Sequence, residues 1–217
     1  MPSTRPRIAF NSTGICNACR YKKKSNKTNF KQREAALKKL LKACKSKNSK
    51  YDCIVPWSGG KDSSYVAYQL KFKYGANPLL VTFSPLIPSE IGEHNRNELI
   101  KLGFDHILVS PNKKISSYLS KRFLIERGNP KVAWDAGINS APFKTALEKK
   151  IKLIFYAEHG ESHYGGKVLK KDSDKMRDIN EVYEHQIGDD PRNWIDDVVK
   201  EKDIIPYSMP DIEDLKS

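Results

Sequence analysis

No apolar run in this chain approaches the roughly 18 residues that a membrane-crossing helix needs, so no span is legible. The Arg-containing start is not followed by an apolar stretch, so it does not read as a secretory signal. Cysteine is scarce: four in 217 residues cannot build a disulfide framework, and a reduced cytoplasm is the expected setting. Acidic residues are almost missing from the first fifty positions, where Glu34 stands alone against 15 Lys and Arg. Beyond Lys50 the charges nearly balance, 24 basic against 25 acidic, so the net charge of +13 belongs to the N-terminal segment. A stripe from Lys22 to Lys50 has two readings, a grip on RNA or an anionic membrane surface, or the solvated face of a helix. Only Tyr21 and Phe30 lie among those lysines, too few aromatics to stack bases along a strand, which favours the solvated face over nucleic acid.

The Walker A spacing is also absent. In its place stands Val55-Pro56-Trp57-Ser58-Gly59-Gly60-Lys61-Asp62-Ser63-Ser64, around which the chain is organised. Tyr51 to Val55 reads as a short buried strand, and Ser63 to Tyr74 as a helix with Val66, Ala67, Leu70 and Tyr74 at helical spacing. A strand that runs into two glycines and then opens a helix is a phosphate cradle. The glycines let backbone N–H groups approach an anion, and the helix start aims its free N–H groups and positive dipole end at the same point. Lys61 adds a charge, Ser58, Ser63 and Ser64 add hydroxyls, and Asp62 can hold magnesium beside the phosphates of ATP. The bland alternative is a glycine turn that only joins a strand to a helix.

Ahead of this loop, Gly14-Ile15-Cys16-Asn17-Ala18-Cys19 contains a Cys-x2-Cys pair. Two readings stand: Cys16 and Cys19 as half of a four-ligand zinc site, or two ordinary cysteines near a turn. Asn29 to Lys47 reads as an amphipathic helix with Phe30, Ala36, Leu37, Leu40, Leu41 and Cys44 on one side, expected to pack on the core or a partner. After the loop the pattern alternates. Strands are expected at Pro78–Ser84, Asp105–Ser110 and Lys152–Ala157, and helices at Glu90–Leu102, Lys113–Arg127 and Ile138–Lys150. The alternation predicts an α/β fold with a doubly wound parallel sheet, whose ligands sit at the carboxyl ends of the strands. The domains then read as a basic segment 1–50, a nucleotide domain 51–166 and a charged tail 167–217, the last with a short helical element and partial packing.

A second polar stretch follows the last strand, Ala157-Glu158-His159-Gly160-Glu161-Ser162-His163-Tyr164-Gly165-Gly166. Carboxylates, histidines and a tyrosine on a strand-end loop are candidates for magnesium binding, substrate contact or proton transfer. A transition-metal cluster is disfavoured because Gly160 interrupts a helical ligand face, and a solvated loop is the plain alternative.

The pieces occur in a family order: Pro2 to Ile8, Gly14 to Cys19, Tyr51 to Pro56, the Ser-Gly-Gly-Lys-Asp-Ser loop, and Glu161 to Gly166. The loop resembles that of the pyrophosphatase-loop superfamily. Together these motifs resemble the N-acetyl sugar amidotransferases of bacterial surface-polysaccharide (lipopolysaccharide, O-antigen) biosynthesis. The resemblance implies an adenine nucleotide alpha hydrolase-like fold and an AMP-forming transferase or ligase. Such an enzyme adenylates the acetamido group of a sugar and replaces its oxygen with ammonia to give an acetamidino group. It implies ATP and Mg2+ as cofactors, with Zn2+ at the cysteines, and a glutaminase and an ammonia-channel subunit resembling imidazole-glycerol-phosphate synthase as partners. On this reading Ser58, Gly59, Gly60, Ser63 and Ser64 hold pyrophosphate, Lys61 and Asp62 serve it and its metal, and Thr82, Phe83 and Ser84 border adenosine. Glu158, Glu161, Tyr164, Gly165 and Gly166 face the sugar or the magnesium. The family pattern has a further Cys-x2-Cys ahead of Met1 and continues past Leu215, which implies a shortened or divergent member.

Two rivals remain. A tRNA-modifying enzyme with the same loop, a thiolase or lysidine-type synthetase, suits the basic segment, although no cysteine follows Cys53 to carry sulfur. The other is a nucleotide- or partner-binding remnant without turnover.

Overall fold

The computed structural model describes residues 2–4, 8–45, 49–157 and 188–216. Contacts divide the chain into two compact units. Among the described residues, one unit runs up to Lys42 and the other holds 43–157 and the C-terminal 188–216.

In the first unit, Phe10 and Cys16 form an isolated antiparallel bridge around a tight loop. Asn11 Oδ1 organises that loop, accepting from the Thr13 N–H at 3.2 Å and the Ile15 N–H at 2.7 Å. Helix α1 (Asn17–Ser25) follows, then α2 (Phe30–Cys44). The predicted amphipathic helix is therefore present, but none of its residues is buried.

The second unit is built on a three-stranded parallel sheet, β1 (Cys53–Pro56), β2 (Pro78–Phe83) and β3 (Asp105–Val109), in sequence order. The near-continuous apolar runs predicted strands covered on both faces, and alternate residues do point to opposite sides. Ile54, Leu79, Val81 and Phe83 enter a core with Leu119 and Phe123 of α5 (Lys113–Arg127) and with Val132, Ala136 and Ala141 of α6 (Val132–Lys149). The other parity, Cys53, Val55 and Leu80, is equally buried, and α3 (Lys61–Tyr68) packs on β1. Helix α3 continues as a π-helical turn over Gln69–Lys73, so the predicted Ser63–Tyr74 helix starts two residues early and changes register near its end. Helix α4 (Glu90–Lys101) is capped by Ser89, whose Oγ accepts from the Gly92 N–H at 3.1 Å.

The expected fourth strand is reduced to one residue. Ile154 bridges Ile54 in parallel, with the Ile54 N–H donating to Leu153 O at 2.9 Å and the Phe155 N–H to Ile54 O at 2.8 Å. Since β1 also pairs with β2, this contact lies on its other edge, and the winding reverses there. A reversal beside β1 is the switch point at which open α/β sheets bind ligands, and it puts the loop after β1 at that place.

Helix α6 begins six residues before the predicted Ile138 because it runs straight through Gly137. A Cβ there would sit 2.3 Å from the Phe83 ring, so glycine is what lets α6 close on the sheet. Gly137→Ala is expected to destabilise the protein by about 1–3 kcal/mol or more through forced overpacking, read as a lowered urea midpoint. The C-terminal residues are not an appendage. Trp194, Val199, Ile204 and Tyr207 are buried in the same core, so the tail, expected from its apolar residues to be partly packed, completes the α5–α6 face. Its polar groups are held as well: the Arg122 guanidinium donates to Trp194 O at 2.8 Å and Asp196 at 3.0 Å, and Ser140 Oγ donates to Pro206 O at 2.7 Å.

Candidate functional site

The loop after β1 leaves the sheet through Trp57, which is buried and tied at several points. Its N–H donates to Val81 O at 2.8 Å, its carbonyl accepts from Thr82 Oγ1 at 2.5 Å, and its indole N–H donates to Ser64 Oγ at 2.8 Å. His106 of β3 continues the chain, with Nε2 2.9 Å from Thr82 Oγ1 and its ring edge-on to Trp57 at 5.4 Å. One loop residue is thus pinned to β2, through Thr82 to β3, and to the first turn of α3.

Beyond this anchor the chain turns on Gly59, whose φ of +81° lies in the left-handed region that disfavours any side chain. A Cβ there would also meet the Gly92 carbonyl of α4 at 3.5 Å. Asn95, one turn further along α4, donates from Nδ2 to Gly59 O at 3.1 Å. The start of α4 therefore lies against the loop and fixes its bend. Gly60 then opens α3 in extended conformation and brings no side chain to cap it. The first intrahelical bond runs from the Ser64 N–H to Gly60 O at 3.1 Å, which leaves the N–H groups of Lys61, Asp62 and Ser63 without an intrahelical acceptor. Lys61 and Asp62 are exposed beside them, and Ser58 Oγ accepts from the Gly60 N–H at 3.3 Å. Chemically such a helix start can attract an anion, through three backbone donors and the positive end of a helix, with the Lys61 ammonium on an adjacent exposed residue.

The predicted site residues separate on inspection. Ser58 to Ser63 line the loop, whereas the Ser64 hydroxyl is taken up by Trp57. Thr82 sits at the rim of the sheet, but its hydroxyl is committed to Trp57 and His106. Phe83 is buried on the α6 side, 5.7 Å from the Tyr207 ring. Ser84 continues the sheet, its N–H donating to Val109 O at 2.8 Å. Glu158, Glu161, Tyr164, Gly165 and Gly166, with His159 and His163, lie outside the described residues. Sequence reasoning missed Asn95, Gly92 and His106; a histidine inside an otherwise apolar strand was the one available signal.

Burial, with the charge of Arg96 adding to it, pushes the His106 imidazole down to about 4, so it is neutral in the folded protein near pH 7. Its folded value is depressed below the unfolded one. Stability is therefore complete above about pH 6.5 and declines as pH falls towards 4. His106→Gln is expected to flatten that decline, measured as urea midpoints across this window.

In the other unit, Cys16 is buried, Cys19 is exposed, and the Cys19 N–H donates to Cys16 Sγ at 3.4 Å. Hydrogen bonds from the Cys19 backbone and then its side chain hold the Cys16 thiol below its ordinary value. Two thiols are half of what zinc takes, and among the described residues no group of three or more His, Cys, Asp or Glu could hold a metal. The described residues alone therefore do not fit a structural zinc.

The fold is that of an α/β protein with a three-stranded parallel sheet, and a glycine bend joins β1 to α3 at the sheet's edge of reversal. No family model matches the chain, and no curated protein matches it. Among solved structures it is similar to the predicted subunit of a tRNA methyltransferase from Methanocaldococcus jannaschii, at 25% identity and a TM-score of 0.35. That likeness covers 62% of this chain and 63% of the other, less than two thirds of the neighbour's length, and is too loose to transfer an activity.

Proposed function

We propose that this protein is an ATP-dependent, AMP-forming amidotransferase that acts on the acetamido group of a sugar. The observation that carries the nucleotide part is the start of α3 behind Gly59 and Gly60, which has no side-chain cap and leaves three backbone N–H groups without intrahelical acceptors beside exposed Lys61. ATP's terminal phosphates suit that helix start in charge. Magnesium would rest on Asp62 and the phosphates themselves, since this ion keeps most of its water and takes only one or two carboxylates; when bound it neutralises charge on the departing pyrophosphate.

The chemistry follows from the acceptor. An amide oxygen is a poor leaving group; its attack on the α-phosphorus expels pyrophosphate and makes it a good one. Ammonia then adds to the amide carbon, and AMP departs with the oxygen. Within this scheme the α3 N–H groups and Lys61 hold the leaving pyrophosphate, while Gly92 and Asn95 keep the loop bent to receive it. The sugar and the ammonia source rest on the motif resemblance, which also implies glutaminase and channel partners. The test is release of AMP and pyrophosphate from ATP with acetamido sugars and ammonium. Release that is independent of both acceptors would overturn the amidotransferase reading.

A lysidine-type tRNA enzyme is the second reading, and one observation favours it: Tyr65, Tyr68 and Phe72 are exposed along α3 and its π turn. Such rings stack nucleobases. Thiolation is disfavoured, because burial pushes the Cys53 thiol up to about 12, far from a reactive thiolate. Salt-dependent tRNA binding lost with Tyr68→Ala would favour this reading over the first.

A further inference from the structure

Arg96 stands beside the glycine bend. It lies one residue past Asn95 and one helical turn past Gly92, the two residues of α4 that meet Gly59. Long helical side chains lean back over the preceding turn, and this one does: its guanidinium comes within 3.8 Å of Glu93 Oε1, next to Gly92. Inward, its charge reaches His106 and adds to the burial that keeps that ring neutral. His106 bonds Thr82, and Thr82 bonds Trp57 of the loop. The Arg96 side chain is only 25% exposed. Yet 3.8 Å is too long for a hydrogen bond, and among the described residues the guanidinium makes none. Arg122 shows how this chain holds an arginine that serves packing: at 22% exposure it donates to Glu126, Trp194 O and Asp196.

We infer that Arg96 is a second cation of the phosphate site, its guanidinium turning from Glu93 to the pyrophosphate end of ATP and reaching it from α4 as Lys61 does from α3. This rests on the nucleotide reading of the loop. A guanidinium stays charged at every working pH, and its planar fork fits two phosphate oxygens at once, whereas an ammonium is a point charge. A covered cation without a hydrogen-bonded acceptor is costly, and an arriving phosphate supplies that acceptor. The plain alternative is a structural pair with Glu93. Such a pair contributes little when one partner is half exposed, as Glu93 is at 51%, and it gives no reason to cover the guanidinium.

Titration calorimetry of the full-length protein with magnesium plus ATP, inorganic pyrophosphate or AMP tests this. Arg96→Gln is expected to weaken binding of ATP and pyrophosphate about 10- to 100-fold, the range for a hydrogen bond to a charged group, and to leave AMP unchanged. Arg96→Lys is expected to recover part of the loss, because the charge returns without the fork. Glu93→Gln, which removes the structural pair and keeps the cation, is expected to hold pyrophosphate affinity. Lys61→Ala is the comparator for the loop. Unchanged pyrophosphate binding in Arg96→Gln, with binding lost in Lys61→Ala, would overturn the inference and leave the loop reading standing. No ATP or pyrophosphate binding by the unaltered protein would overturn both. Equal weakening of AMP and pyrophosphate would show that Arg96 acts through structure and would overturn the inference. So would a loss in Glu93→Gln as large as in Arg96→Gln. Should Arg96→Gln not fold, judged by thermal melting, Arg96→Lys carries the same test, a loss confined to ATP and pyrophosphate.

Discussion

Lys61→Ala and Asp62→Ala are each expected to cut AMP release by about 100-fold or more while leaving the fold intact. Both side chains are exposed, and among the described residues neither makes a hydrogen bond or ion pair, so truncation breaks no contact that the folded chain relies on. Their value lies in the charge they bring to a reacting phosphate. Removing one preorganised group that meets developing charge typically costs 100- to 1,000-fold in turnover, about 3–4 kcal/mol. Pyrophosphate release measured with an acetamido sugar and ammonium, beside thermal melting of each variant, separates lost chemistry from lost structure. Full turnover in both variants would remove the loop from the reaction.

The largest effect on stability is expected at the opposite end of the chain. Trp194→Ala is predicted to cost about 3–5 kcal/mol, a large share of the 5–15 kcal/mol typical of a folded domain. Trp194 is fully buried, its ring 5.1 Å from Phe123 and 5.8 Å from Tyr207, and its indole N–H donates to Asp189 at 3.1 Å. Deletion empties a cavity between α5 and the C-terminal segment and orphans part of Asp189, which Arg127 also holds. A charged tail lying outside the core would respond by no more than about 0.5 kcal/mol. Equilibrium urea unfolding distinguishes the two.

The parallel sheet was legible because its cause is local. Runs such as Pro78 to Phe83 are apolar at all positions but Thr82, and Gly128 closes α5 where the sequence places it. The glycine bend and helix start after β1 were legible for the same reason: the turn, the helix start and the charges beside them are contiguous from Ser58 to Ser63. What supports the loop was not. Asn95 reaches Gly59 from 36 positions away and Thr82 reaches Trp57 from 25, and no local pattern announces such pairings. Thr82 and Phe83 illustrate the limit, since adjacent residues on a strand face opposite sides, one towards His106 and the other into the α6 core. The C-terminal segment was legible in part: its apolar residues announced some packing, but not how deeply they enter the core. Its Asp196 and Asp189 are bonded to Arg122 and Arg127, while four apolar side chains spaced along it carry the packing.

The central claim is that the bend at Gly59 and Gly60 receives the phosphates of ATP. A crystal structure with magnesium and a non-hydrolysable ATP analogue tests it most directly. The account predicts phosphate oxygens within hydrogen-bonding distance of the Lys61, Asp62 and Ser63 N–H groups and of Lys61 Nζ. A nucleotide bound elsewhere while those N–H groups face only solvent would contradict it.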